Sequence, residues 1–365
     1  MSEAIPRSRF DAGSEQPPGE TPRTPIAVII TIRNERRTLG ETLQSLFAQD
    51  YPHDLLEILI VDGRSEDGSL DVVPPSDRSP IPIRIIDNPR RMTPAAFNLG
   101  VNATCADAIV WISGHTVLSA NYLSTAEAVY RADPGIAVGG RLAVRGSGWI
   151  GTLNALVLSS PFGTGPASLR FGTKLGEDEV IAFALMDRRR ILAVGGMDER
   201  LHRNHDNALC AALKKHGMRF VRVDSVATYL APPTLRGLWR RAWGNGCWNI
   251  WGRRLHRGGL SWWHYAPMSA VGCGAVLAVL TPYSAYAGTV LAALAILYAL
   301  GALIESFRVA RIHRRFRAIP LVPLAFFAFH VAYGAGSWSA LFRRVPSLPV
   351  WRDAAPATGQ EANTQ

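Results

Sequence analysis

The alternation of apolar and polar positions divides the first 112 residues into short strands and helices. Apolar runs that are rich in β-branched residues and bounded by charged or turn-forming residues are typical of buried strands. Four such runs lie at residues 26–30, 58–61, 81–86 and 108–112. Apolar residues at helical spacing predict a helix over 39–47, and Pro94 suits the first turn of a second helix that continues to Val101. This alternation predicts an α/β domain with parallel strands and right-handed crossovers.

A carboxylate, Asp62, directly follows the second of these strands. In an open α/β sheet, ligands bind at the carboxyl ends of the strands, so Asp62 is a candidate binding residue. The turn at residues 62–69 is acidic and broken by glycines, and it also fits the simpler alternative of a solvated turn. Pro82, in the third run, places that strand at an edge or indicates its first residue.

The pattern is less regular between residues 135 and 217. Glycine pairs interrupt it at 139–140 and 195–196, and residues 159–165 are too rich in glycine to form a regular element. A helix is predicted after the acidic turn that begins at Asp198, from apolar residues at helical spacing over 208–213. Two lysines followed by Gly217 are a C-terminal signal for this helix.

The last third of the chain predicts a membrane region. Residues 236–257 carry six arginines and four tryptophans, which fits an amphipathic helix at a membrane interface, the alternative being a solvated helix that covers a core. Long charge-free runs at 265–304 and 318–341 predict spans at about 265–283, 285–304 and 318–341. The predicted organisation is a disordered tail over 1–24, an α/β domain over 25–235, an interface segment over 236–262, a membrane region over 263–342 and a tail over 343–365.

Charge and cysteine content narrow the class of protein. The net charge is +10, and much of the basic excess lies beside the long apolar runs, which favours a membrane surface or a phosphorylated substrate over nucleic acid. The four cysteines have no metal-type spacing and no apolar signal segment precedes them, so we expect reduced thiols. The positive-inside rule places the 236–257 segment and the 308–317 loop in the cytoplasm, whereas the side of the final tail stays open between a re-entrant and a crossing third span.

The order of motifs resembles one known family. The motifs are residues 31–35 (TIRNE), 61–69 (VDGRSEDGS), 93–100 (TPAAFNLG), 160–163 (SPFG) and 194–199 (VGGMDE). In this order the chain resembles the family 2 glycosyltransferases of the GT-A fold, closest to the membrane-associated, succinoglycan-type exopolysaccharide branch. The resemblance implies a mostly parallel sheet flanked by helices and followed by C-terminal transmembrane helices. It covers roughly residues 26–257.

The same resemblance implies the roles of individual residues. The site for a nucleotide-diphosphate sugar would comprise Thr31, Arg33, Asn34, Glu35, Asp62, Arg64, Arg91 and Asn98. In it, Asp62 would accept a hydrogen bond from the nucleobase, and the Arg90–Arg91 loop would face the diphosphate, for which arginine offers a planar fork of donors. The acceptor loop would comprise Ser160, Phe162 and Gly163. Asp206 would be the general base that deprotonates the acceptor hydroxyl, although aspartate is also a favoured helix N-cap and the residue before it is a histidine where the family has an acid.

The metal motif of the family is altered in this sequence. After the strand at 108–112 the family places an Asp-x-Asp or Asp-Ala-His type motif, whereas this chain has Ser113, Gly114 and His115. His115 is therefore a candidate ligand for Mn²⁺ or Mg²⁺, with a structural histidine as the alternative. Three outcomes are open: a cation held by His115 and the substrate alone, arginines in place of the cation, or loss of activity.

The sequence thus predicts an inverting, membrane-anchored glycosyltransferase. It would transfer a sugar from a nucleotide-diphosphate donor to a lipid-linked or membrane-proximal glycan acceptor, with its catalytic domain on the cytoplasmic face of the inner membrane and other polysaccharide-assembly proteins as possible partners. One alternative is a degenerate transferase that acts as a binding or scaffold subunit. Another is a processive polysaccharide synthase, which three spans leave little material to build.

Overall fold

The computed structural model describes residues 23–165, 175–178, 181–255 and 262–346. Nearly all of the predicted N-terminal tail and most of the C-terminal tail lie outside these residues. The strands are β1 (Ile26–Ile32), β2 (Leu56–Asp62), β3 (Ile83–Asp87), β4 (Ala108–Ser113), β5 (Thr116–Leu118), β6 (Ile136–Arg145), β7 (Gly176–Asp178), β8 (Leu185–Asp187) and β9 (Arg219–Leu230). The helices are α1 (Leu39–Phe47), α2 (Thr93–Asn102), α3 (Tyr122–Ala132), α4 (Gly148–Leu158), α5 (Pro161–Thr164), α6 (Arg188–Ala193), α7 (His205–Lys215), α8 (Leu235–Leu255), α9 (Ala266–Leu280), α10 (Ala285–Ile312) and α11 (Val322–Phe342).

The strands form one mixed sheet in the order β3-β2-β1-β4-β8-β6-β9-β5, with β7 paired to β9. The four strands predicted from the sequence, β1 to β4, are present and parallel, and β3 lies at the edge, as Pro82 indicates. The later strands β5, β7 and β8 pair antiparallel with their neighbours. In register, Thr31 is opposite both Val61 and Ser113, so the loops that follow β1, β2 and β4 leave the sheet at one edge.

Two apolar cores cover the two faces of this sheet. Alternate residues of β1 point to opposite sides: Val28 and Ile30 pack in the core with α1 and α3, whereas Ile29 packs in the core with α2 and α7. Strands that are buried on both faces read as continuous apolar runs, which explains why the sequence pattern located them. A close approach fixes α2 on the sheet, because a Cβ added at Gly100 would lie 2.6 Å from Cγ2 of Ile29.

Helices α8 and α11 cross in close contact, and glycines make this possible. A Cβ added at Gly336 would lie 2.4 Å from the carbonyl oxygen of Trp243. Trp248 and Trp251 are only 7% and 8% exposed, in a core that α8 forms with α11. For these two rings the expectation of a membrane-interface position is wrong, because the protein itself covers them. Trp239, at the start of α8, is exposed.

Among the described residues, two stretches are long and apolar enough to cross a membrane, Trp263–Leu280 and Ala285–Ile312. Large apolar side chains such as Val279 and Leu297 are more than half exposed on them. The second helix continues to Ile312, so the basic stretch that begins at residue 308 is helical at its start, not a loop as the sequence predicts. The third predicted span forms α11, but one face of that helix is buried in the protein.

Candidate functional site

A cavity of about 1290 Å³ opens where β1, β2 and β4 end. Its walls come from three parts of the chain: the loops after these strands, the start of α7, and the helices of the C-terminal third. Of the residues predicted for the site, those that line it are Thr31, Arg33, Glu35, Arg91, His115, Phe162, Gly163 and Asp206. The other predicted site residues lie next to the lining but are not part of it: Asn34, Asp62, Arg64, Asn98 and Ser160.

Asp62 is buried, 6% exposed, and its carboxylate is engaged within its own turn. It accepts hydrogen bonds from the backbone N–H of Ser65 at 3.1 Å and from the Ser65 hydroxyl at 2.6 Å. The adjacent Gly63 lines the cavity. A carboxylate has about four lone-pair positions, so these bonds orient Asp62 and leave it acceptor capacity. Asp62 therefore lies in a turn, but it is buried and not solvated as the alternative from the sequence has it. Its role in base recognition stays a prediction.

Asn34 and Arg64 brace the two loops that carry the site. Asn34 has a left-handed backbone, with φ of 60°, and its amide oxygen accepts a hydrogen bond from the N–H of Glu66 at 2.9 Å. Its own N–H donates to the Ser65 hydroxyl at 2.9 Å. Arg64 donates to both carboxylate oxygens of Asp87 at 3.1 and 3.0 Å. In this structure both side chains hold protein groups, and their assignment to the donor nucleotide remains a prediction.

Thr31, Arg33 and Arg91 present polar groups to the cavity. The hydroxyl of Thr31 accepts a hydrogen bond from the indole N–H of Trp111 at 3.1 Å, which fixes the ring of a cavity-lining residue. Arg33 is exposed at the cavity wall. Arg91 faces Glu66 at 3.8 Å, a weak pair that leaves most of its donors available. Arg90 instead pairs with Glu199 and does not line the cavity.

Glu35 and His115 form a pair at the end of the sheet. Nδ1 of His115 lies 2.7 Å from Oε1 of Glu35, and the other carboxylate oxygen accepts from the Thr38 hydroxyl at 2.9 Å. The imidazole packs edge-on against Tyr229, with ring centroids 5.0 Å apart. In the described part of the chain, no cluster of three or more His, Cys, Asp or Glu side chains is placed to hold a metal ion. The residues around His115 therefore do not fit a cation held by three protein ligands.

The side chain of Asn98 holds the turn before α7 by hydrogen bonds. Its amide oxygen accepts from the N–H of Met197 at 2.9 Å, and its amide N–H donates to the carbonyl oxygen of the same residue at 2.9 Å and to Glu199 at 3.0 Å. The turn passes through Gly196, where φ is +73° and a Cβ would lie 2.3 Å from Oδ1 of Asn98. Asn98 thus positions the segment that carries Asp206, and it does not reach the cavity.

Asp206 lies in the first turn of α7 and lines the cavity as an exposed side chain. The N-cap position is occupied by Asn204, so the alternative that Asp206 caps the helix is not what the structure has. Beside it, His205 is 8% exposed, its Nδ1 has no hydrogen-bond partner in the described residues, and its ring contacts Trp111. Burial, together with the positive charge of Arg203, lowers the pKa of His205, while Asp206 acts in the opposite direction.

The predicted acceptor loop packs on the C-terminal helices α10 and α11. Ser160 is fully buried; its hydroxyl donates to Oε1 of Glu305 in α10 at 2.5 Å and accepts from the N–H of Phe162 at 3.1 Å. The carbonyl oxygen of Phe162 lies 2.9 Å from Nε2 of His330, whose Nδ1 lies 2.9 Å from the hydroxyl of Tyr298. The loop that would contact the acceptor is therefore tied by hydrogen bonds to α10 and α11.

Several lining residues have no counterpart in the sequence prediction. Arg203, Asn245 and Arg241 line the cavity between Asp206 and the C-terminal helices, and Tyr229 contributes from β9. Arg241 lies in the basic segment that the sequence predicts at a membrane surface. For that reason it is not among the residues predicted for the site. The signal that was available is spacing: Arg241 and Asn245 are four residues apart, which places them on one face of α8.

Part of the chain is similar to known glycosyltransferases. Residues 27–190 match the model of Glycosyl transferase family 2. A dolichyl N-acetyl-alpha-D-glucosaminyl phosphate 3-beta-D-2,3-diacetamido-2,3-dideoxy-beta-D-glucuronosyltransferase from Methanococcus voltae is 26% identical over 173 residues, which are 46% of this chain. The match spans about half, 54%, of that relative's own length.

A solved structure extends the likeness over most of the chain. The mannosyltransferase PcManGT from Pyrobaculum calidifontis, in complex with GDP-Man and Mn²⁺, superposes with a TM-score of 0.57 at 19% identity. The alignment covers 86% of this chain and 88% of that one. The succinoglycan branch that the sequence suggested is not confirmed. Residues 27–190 are thus similar to glycosyltransferase family 2, and the chain has the α/β fold of the GT-A glycosyltransferases, followed by apolar C-terminal helices that could span a membrane.

Proposed function

We propose that this protein is an active inverting glycosyltransferase that moves a sugar from a nucleotide-diphosphate donor to a lipid-linked acceptor. The observation that carries the proposal is one continuous cavity. It joins the loops at the sheet edge, the carboxylate of Asp206 and the apolar helices α9 and α11. The Methanococcus relative is named for a dolichyl-phosphate-linked acceptor, and the Pyrobaculum structure holds GDP-Man, which supports the same substrate classes for this chain.

The polar end of the cavity suits the donor. Thr31, Arg33 and Arg91 face it beside Gly63, at the edge of the sheet where α/β proteins bind nucleotides. Two arginines there offer planar sets of donors to a diphosphate and stabilise the charge that develops as it leaves. In this arrangement Asp62 would accept a hydrogen bond from the nucleobase N–H. Asn34, Arg64 and Asn98 would hold the loops that form the donor site.

The reaction would be a direct displacement. The carboxylate of Asp206 takes the proton from the acceptor hydroxyl, and the hydroxyl oxygen forms a bond to the anomeric carbon of the donor sugar. The bond from that carbon to the diphosphate oxygen breaks, and the nucleoside diphosphate leaves with the electron pair. Attack opposite to the leaving group inverts the anomeric configuration. Asp206 is exposed in the first turn of α7, where its carboxylate faces the cavity and can accept the proton.

The apolar end of the cavity suits the acceptor. Pro267, Ala270 and Phe329 line it, and the loop of Ser160, Phe162 and Gly163 is held on α10 and α11 close by. An acceptor with a lipid tail would lie along these helices with its sugar toward Asp206. In this proposal the chain is a multi-pass protein of the inner membrane with its catalytic domain on the cytoplasmic face, and it supplies cell-envelope glycan or exopolysaccharide synthesis.

One observation favours a second candidate, a degenerate transferase that binds a nucleotide sugar without turnover. The pairing of Glu35 with His115 occupies the position where the family has its metal motif. Calorimetry with UDP and GDP, with and without Mn²⁺, separates the two candidates when turnover is measured in parallel. Binding without transfer from any donor supports the degenerate transferase.

The experiment that tests the proposal is a transfer assay with purified full-length protein in detergent. Radiolabelled UDP- and GDP-sugars are incubated with a membrane lipid extract, and label is followed into the organic phase. We expect label in lipid from at least one donor, with the product in the inverted configuration. No transfer from any donor in the panel, together with unchanged thermal stability in the presence of each nucleotide sugar, would overturn the proposal.

A further inference from the structure

Two arginines in the cavity carry positive charge without an acidic partner. Arg203, in the loop before α7, donates from Nη1 to the amide oxygen of Asn245 at 2.9 Å. Arg241, in α8, hydrogen bonds to the hydroxyl of Tyr229 and lies over its ring, with Cζ 4.7 Å from the centroid. In the part of the chain that the structure describes, neither guanidinium is within ion-pair distance of a carboxylate, and Nε of Arg241 is buried without a hydrogen-bond partner.

This arrangement is electrostatically unfavourable in the unliganded protein. Burial lowers the pKa of Arg203, and the charge of Arg241 lowers it further, so the two guanidiniums lie close enough to repel each other. Elsewhere the chain pairs its buried arginine, Arg222, with Asp178. Both side chains are half-buried, and an anion between them would offset the repulsion between their charges.

The backbone of α8 is shaped to admit Arg203. A Cβ added at Gly244 would lie 2.8 Å from Nε and 3.1 Å from Cζ of that side chain. Glycine is unfavourable in a helix interior relative to alanine. Here it allows the guanidinium of Arg203 to approach the helix closely, next to Asn245, which accepts its hydrogen bond. A fixed guanidinium with free N–H groups is the geometry that binds phosphate oxygens in a bidentate manner.

The position of Arg203 and Arg241 in the cavity indicates which anion they would bind. Arg203 and Arg241 line the same cavity as Asp206 and as Pro267 and Ala270 of α9. If the phosphate of a lipid-linked acceptor were held there, its sugar would lie toward the proposed base and its apolar chain along the C-terminal helices. We propose that Arg203 and Arg241 form the binding site for the phosphate of a lipid phosphate acceptor, a proposal that rests on the lipid-linked acceptor of the proposed function. The donor diphosphate is the other possible source of such a phosphate.

Binding to the full-length protein in detergent tests the proposal without requiring turnover. The probes are farnesyl phosphate, farnesol as its uncharged match, and UDP and GDP. The variants are Arg203→Gln and Arg241→Gln, with Arg240→Gln as the control, because Arg240 is exposed, on the same helix and outside the cavity lining. We expect the Kd of farnesyl phosphate to rise at least tenfold in the first two variants and less than twofold in the control, with farnesol and nucleotide binding unchanged.

Two further variants keep the test decisive if a glutamine variant does not fold. Arg203→Lys retains the charge but loses the planar fork, and Gly244→Ala displaces the guanidinium; each should weaken farnesyl phosphate binding while the melting temperature shows a folded protein. Equal binding of farnesyl phosphate in all folded variants overturns the proposal. A loss of nucleotide binding in place of farnesyl phosphate binding also overturns it and assigns the pair to the donor diphosphate. Arginine-dependent farnesyl phosphate binding without sugar transfer from any donor supports this site and contradicts only the proposed function.

Discussion

The buried hydroxyl of Ser160 links the predicted acceptor loop to α10, and its removal has a calculable effect. Ser160→Ala deletes the hydrogen bond to the Glu305 carboxylate at 2.5 Å and the cap that accepts the N–H of Phe162 at 3.1 Å. A hydrogen bond to a charged group contributes about 1.5–3 kcal/mol, and a helix N-cap about 1 kcal/mol. Because the effects of contacts around one atom overlap, we expect the loop to lose about 2 kcal/mol of local stability, somewhat less than the sum of the two contributions.

Amide hydrogen exchange measures this loss directly. A drop of about 2 kcal/mol in opening free energy corresponds to a roughly 30-fold faster exchange of the Phe162 N–H, since each 1.4 kcal/mol is a factor of about ten. Ser159→Ala is the matched control, because Ser159 is the neighbouring residue and the structure shows no hydrogen bond from its hydroxyl. Exchange of the Phe162 N–H within twofold of the native rate in Ser160→Ala would refute the claim that α10 holds this loop.

Three other consequences follow from the packing and the charges. Gly100→Ala places a methyl group 2.6 Å from Cγ2 of Ile29 and should lower the free energy of unfolding, measured by denaturation, by about 1–3 kcal/mol. In the same experiment Gly40→Ala, which has nothing within 4 Å, should be neutral or stabilising. Folding lowers the pKa of His205 from its usual value of about 6.5. Below pH 6.5 the unfolded chain therefore binds more protons than the folded protein, and the melting temperature should fall as the pH drops from 6.5 toward 5. His205→Gln should reduce that dependence, and an unchanged pH slope would contradict it. Gly246→Ala should impair folding in detergent, because a Cβ there would lie 2.0 Å from the carbonyl oxygen of Tyr333 in the contact between α8 and α11.

Local patterns were sufficient to predict the first half of the sheet. Strands buried on both faces leave continuous apolar runs, and the signals of β1, β2 and β4 were therefore unambiguous. The antiparallel strands β5, β7 and β8 have three residues each, which is too short for a period of two to be recognised. Their pairing depends on contacts distant in sequence, such as β5 with β9, that no local pattern contains.

The residues of the site divide in the same way. Strand ends are visible in the sequence, which is why Thr31, Arg33 and His115 are candidates from the sequence alone, and all three line the cavity. Their roles stay predictions. The resemblance of its motif predicts Asn98 in the donor-binding site. In the structure its side-chain amide bonds to the backbone of Met197, 99 residues away, which the sequence pattern does not indicate. Arg241 was missed for the opposite reason. A segment rich in Trp and Arg reads as a membrane surface when it is considered alone, and only the packing of α8 on α11 shows which of its side chains face inward.

The central claim, that Asp206 is the base of a sugar transfer, is tested most directly by transfer in Asp206→Asn. The assay follows radiolabel from the nucleotide sugar that the native protein uses into membrane lipid. General-base catalysis contributes about 10²–10⁴-fold, so the account predicts a loss of that size with nucleotide binding within twofold of native. Asp77→Asn, at an exposed aspartate outside the cavity, should transfer normally. Transfer by Asp206→Asn at the native rate would contradict the account.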